Sequence, residues 1–96
     1  MATTKHGSLN NDQVDVELEG SFRYVEVLMR SGSNELWCVA DPVTAIDAAS
    51  IVEMDGADVI PSTGGSVIVD STSSAPTIIR LESAGAITYS LKGYDS

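Results

Sequence analysis

One cysteine, one histidine, one tryptophan, one phenylalanine and five basic residues are all that this 96-residue chain contains of those types. Each shortage removes a class of explanation. A single thiol cannot close an internal disulfide, and without a CxxC pair or a Cys/His quartet there is no structural zinc site. The lone histidine, His6, lies in a polar stretch beside Gly7. As a general base it would need an orienting carboxylate and a water-excluding pocket, and that stretch supplies neither. Aromatic residues make up 5% of the chain, too few to line the cleft that paired glycosidase carboxylates require.

The shortage of cations is equally informative. Five Lys and Arg stand against fourteen Asp and Glu, a formal charge of −9. A surface this acidic repels a phosphate backbone, and Lys5, Arg23, Arg30, Arg80 and Lys92 are scattered rather than gathered in a stripe. No nucleic-acid partner is expected. The opening "MATTKHGSLNNDQ" has no apolar signal-peptide core. No apolar run approaches the ~20 residues that span a bilayer, so no membrane partner is expected either.

What the chain does have is a period of two. In "VDVELE" Val14, Val16 and Leu18 alternate with Asp15, Glu17 and Glu19, a half-buried strand with one acidic face. "FRYVEVLMR" places Val25, Val27 and Met29 on one side and Phe22, Tyr24 and Leu28 near or on the other. "SGSN" at 31–34 is a turn composition, and "ELWCVA" follows with Leu36, Cys38 and Ala40 on one face, so these two segments are expected to form a hairpin. "DPVTAIDAAS" reads as a loop. "SIVEM" and "ADVI" flank Asp55-Gly56, the composition of a type I′ hairpin turn. "SVIVD", "TIIRLES" and "AGAITYSLKG" supply the remaining strands, the last two joined through Ser83-Ala84-Gly85 as a short hairpin.

The expected fold is all-β: a small antiparallel sandwich or barrel of about seven to eight short strands. Residues 1–13 are expected to form a polar N-terminal arm, and 14–96 a single β-sandwich domain. A domain of this size buries only about 60–65% of its unfolded surface. With no disulfide or metal to staple it, association between copies is a natural source of extra stability.

Candidate chemistry is sparse. Cys38 has no adjacent cation and no helix N-terminus, and Glu35 and Asp41 lie near it in sequence. Negative neighbours disfavour a thiolate, so Cys38 is expected in the core. Trp37 faces the other way, where it can fill a second core face, meet a partner chain or stack on carbohydrate. Asp15, Glu17 and Glu19 stand about 7 Å apart in succession on a strand, and neither they nor Asp55 and Asp58 follow calcium-loop spacing. "STGGS" lacks the lysine of a phosphate-binding loop. No catalytic, cofactor-binding or metal residue is assigned.

Three stretches, "YVEVLMRSGSNELWCVAD", "GADVIPSTGGSVIVD" and "TIIRLESAGAITYSLKG", resemble in order and character the small β-sandwich virion proteins of tailed bacteriophages. The likeness covers roughly residues 22–93. It implies a non-enzymatic structural role, as a capsid decoration or cement subunit, with a neck, tail or fibre component or a carbohydrate-binding module as alternatives. It implies as partners other copies of the chain, a trimer for instance, together with a major capsid or other virion protein. It implies a place in the virion, assembled in the host cytoplasm. Leu9, Phe22, Tyr24, Trp37 and Tyr94 are the interface candidates. On this reading, loss of residues 1–13 weakens particle binding and leaves the isolated fold intact.

Overall fold

A computed structural model describes residues 3–40, 46, 50–53, 56–70 and 76–94. The described residues are all-β: an antiparallel sheet nearly closed into a barrel. Six strands compose it: β1 (Thr3–Leu18), β2 (Tyr24–Gly32), β3 (Leu36–Ala40), β4 (Asp58–Ile60), β5 (Ser66–Asp70) and β6 (Thr77–Tyr94). The count is lower than expected because two strands are very long. At about 3.3 Å per residue an 18-residue strand would stretch roughly 60 Å, yet the longest dimension of the molecule is 31 Å. β6 must therefore bend sharply, and the sheet bends with it.

The bend gives the molecule two layers. In the first, the 77–83 half of β6 lies between the 12–18 half of β1 and β3, and β3 carries β4 on its far edge. In the second, the 86–94 half of β6 lies between residues 3–10 of β1 and β2, and β2 carries β5. Both β2 and β3 run antiparallel to β6, β2 beside residues 87–94 and β3 beside 79–82. They are consecutive lengths along one edge rather than the hairpin expected at "SGSN". Ser83-Ala84-Gly85 is likewise no hairpin, because β1 accompanies β6 across it.

Local backbone features make these joints. Opposite Ala84 and Gly85, β1 has a single residue, Asn11, with φ of 54°. Asparagine tolerates that left-handed conformation better than most side chains. The mismatch is a β-bulge, and it switches the inward parity of β1 from odd (Gly7, Leu9) to even (Val14, Val16, Leu18). A second bulge at Arg30 shifts β2 against β6. Gly32 closes β2 with φ of 115°, and a Cβ there would lie 2.6 Å from the Ala86 carbonyl oxygen, so this joint needs glycine.

Inward side chains of the two layers form one core: Val16, Leu18, Leu36, Cys38, Ile79 and Leu81 from the first, and Leu9, Val25, Val27, Met29, Ile87, Tyr89 and Leu91 from the second. Phe22 seals the open end. Its N–H donates to Thr77 Oγ1 at 2.9 Å, while its ring packs on Gly93, near the other end of β6.

Three further expectations are corrected. Residues 3–13 are not an arm but the first part of β1, paired from Thr3↔Gly93 onward, with Leu9 and Gln13 buried. Edge-strand positions facing solvent tolerate polar residues, which is why this stretch looked unstructured. Leu9 and Phe22 are core residues rather than interface residues. "SIVEM" is no strand either: Ile51–Glu53 form a 3-10 helix, with Ile51 buried. The loop expected at 41–50 lies outside the described residues except for Ile46 and Ser50.

Candidate interaction surface

The chemistry-bearing side chains are kept apart. Cys38 points into the first layer with no exposed surface, and burial, then the Asp58 carboxylate, push its thiol up to about 12. It is protonated at any physiological pH and inert as a nucleophile. His6 lies on the outer side of the second layer, where Arg30 Nη1 donates to its Nδ1 at 3.2 Å. The inward thiol and the outward imidazole therefore belong to different layers. Among the described residues, no group of three His, Cys, Asp or Glu converges as metal ligands would. No described helix is long and apolar enough to cross a membrane.

The outer face of the first layer is a structural polar network. Arg80, almost fully buried, donates from Nε to Asp15 Oδ1 at 2.6 Å and from Nη2 to Oδ2 at 2.9 Å, a bidentate clamp across β6 and β1. One row further along, Glu82 accepts from Gln13 Nε2 at 2.6 Å, Ser50 Oγ at 2.6 Å and the Ile51 N–H at 3.1 Å. Burial would raise the Glu82 carboxyl, but these three donors outweigh it and hold the group below its ordinary range. Glu82 thereby ties the 3-10 helix to the sheet. Trp37, its cross-strand neighbour on β3, is half-buried and lines a shallow groove with Val52 and Glu82.

The outer face of the second layer is different. Strand register sets Tyr24 of β2 opposite Tyr94 of β6, with Asp70 of β5 on the other side of Tyr24. Arg23 lies over the Tyr24 ring and Lys92 over the Tyr94 ring, each 5.4 Å from the centroid, within cation–π range. The next row is Ile68–Glu26–Lys92. Ile68 is 64% exposed and Tyr94 36%. Beyond them Ser31 and Thr88 bond to each other at 2.6 Å beside the Arg30–His6 pair.

Of the five interface candidates, the fold brings Tyr24 and Tyr94 together on this face. It places Trp37 on the opposite layer, and Leu9 and Phe22 inside. Ile68, Arg23, Lys92 and Arg30 complete the surface. Only the alternation of "SVIVD", with Ile68 at its centre, marked one of them in advance, since the rest depend on strand pairing.

Charge is divided between the layers. Among the described residues, the first carries Asp12, Asp15, Glu17 and Glu19 on or just after β1, and Glu35, Asp58 and Glu82 on or beside its neighbours, against the single Arg80. The second carries Lys5, Arg23, Arg30 and Lys92 against Glu26 and Asp70. The strongly negative total conceals a mildly positive layer. No protein-family model matches the chain, and neither a curated protein nor a solved structure proved similar to it.

Proposed function

We propose that this chain is a non-enzymatic structural subunit of a tailed-phage particle, a decoration or cement protein that binds the outside of the capsid shell through protein contacts. The carrying observation is the second-layer surface. Tyr24, Tyr94 and Ile68 stand partly or largely open on a hydrogen-bonded sheet, with cations over both tyrosines. Aromatic residues and arginine on a rigid support are the side chains that dominate protein–protein binding energy. The inert, buried Cys38 thiol supports a role in contact rather than reaction. A place in the neck, tail or fibre would use the same surface.

The carbohydrate-binding alternative has less support. Lys92 and Arg23 occupy a face of each tyrosine ring that a sugar would need, and Trp37 is half-buried in its groove. The test is direct. Particles purified from cells that encode the chain are sedimented, and the pellet is searched by peptide mass spectrometry. Stoichiometric recovery with the particles supports the reading, and recovery only in the soluble fraction refutes it.

A further inference from the structure

We infer that copies of this chain dock head to tail, the tyrosine–cation face of one copy seating on the acidic outer face of the first layer of the next. The inference rests on the reading that the chain acts by contact. It goes further by naming the occupant and both surfaces.

Three observations choose a second copy. The first is charge complementarity within one molecule. Arg23 and Lys92 lie over Tyr24 and Tyr94 on one layer, with Arg30 farther along β2 beside His6, while exposed Glu17, Glu19 and Asp12 lie along the other. The complementary surface is thus present at the same concentration as the face it would fill. The second is the direction of the two faces. The inner sides of the layers share one core, so their outer sides point away from each other. A contact between unlike faces then leaves one of each free on every pair and propagates into a ring or a filament. A like-with-like contact would instead set the cations against their own copies, or acids against acids, which costs free energy at short range.

The third observation separates this partner from a nucleic acid. Glu26 and Asp70 interrupt the cationic face beside Lys92 and Tyr24. A phosphate backbone is repelled there, whereas a protein surface of discrete carboxylates can fit around both acids. Tyr24, Tyr94 and Ile68 supply the apolar centre that such a contact desolvates.

A charge-swap experiment tests this on the full chain. Wild type, the double variant Arg23→Glu/Lys92→Glu and the double variant Glu17→Lys/Glu19→Lys are each measured by sedimentation velocity, with circular dichroism to confirm that these exposed changes leave the fold intact. Wild type should sediment as an oligomer and each variant alone as a monomer. An equimolar mixture of the variants should regain the oligomer, because the reversed acidic face of one meets the reversed basic face of the other while their unmodified faces also pair. A monomeric wild type, a variant that keeps the wild-type mass, or a mixture that stays monomeric overturns the inference. Failure here is distinguishable from failure of the particle reading: a wild-type monomer that still co-sediments with particles sinks only the head-to-tail contact.

Discussion

Replacing Glu82 by alanine removes one side chain that organises the outer face of the first layer. Its carboxylate accepts from Gln13, Ser50 and the Ile51 N–H. In the variant Ser50 turns to water, whereas the Ile51 amide and the buried Gln13 side chain lose their acceptor. An unmade bond at a buried donor costs about 1–3 kcal/mol. Glu82 is half-exposed and water can partly take its place, so the low end applies: about 2 kcal/mol in all. For a domain of this size that lowers Tm by roughly 8–16 °C. The linkage follows from the depressed carboxyl. Because its folded pKa lies below the ordinary 4.5, its stabilisation is complete above that value and is lost as pH falls through the folded pKa. Glu82→Gln keeps a carbonyl acceptor but cannot titrate. The Tm gap between wild type and Glu82→Gln should therefore be larger near about pH 7 than near about pH 3. Trp37, the sole tryptophan and the β3 partner of Glu82, reports both melts by fluorescence. An alanine variant melting within about 2 °C of wild type, or a glutamine gap independent of pH, would refute the reasoning.

Deleting residues 1–13 should unfold the domain rather than free it of an arm, since Leu9 leaves the core and the 86–94 half of β6 loses a partner along one edge; a cooperative melt of the truncated protein at the wild-type Tm would contradict this. Phe22→Ala should cost about 3–5 kcal/mol in urea unfolding, while Tyr94→Ala, at an exposed site, should cost less than about 1 kcal/mol and act instead on association. The Cys38 thiol should resist a chromogenic disulfide reagent in the native protein and react within seconds once denatured. Fast native labelling would mean that the first layer opens far more readily than a fully buried side chain implies.

Period two was the legible part. Val25, Val27 and Met29, or Leu36 and Cys38, face the core as their alternation requires. The start of β1 escaped because its inward positions are Gly7 and Leu9, and Gly7 is the residue over which the Tyr89 ring packs. A strand buried beneath a large ring carries a small residue, and such a residue leaves no hydrophobic trace. The two joints escaped for another reason. A glycine-containing triplet is compatible with a turn that reverses the chain and with a bulge that bends it. Only the partner strand distinguishes the two, and at Ser83-Ala84-Gly85 that partner is β1, far away in sequence. The same dependence hid the surface. Nothing in the one-dimensional order joins Tyr24 to Tyr94, or Asp15 to Arg80, until register brings them together.

The position of β6 in the sheet constrains how the chain reaches this state. It is the last strand in sequence and the direct neighbour of β1, β2 and β3, so each of those carries an open edge until residues 77–94 have been synthesised. No nascent fragment lacking them can close the barrel. Among the described residues no two strands consecutive in sequence pair as a tight local hairpin, and closure of the long loops that separate β1, β2 and β3 from β6 must precede most of the reward. Folding should accordingly be slow and nearly all-or-none, with the unfinished chain dependent on its acidic charge to keep those open edges from pairing with other molecules.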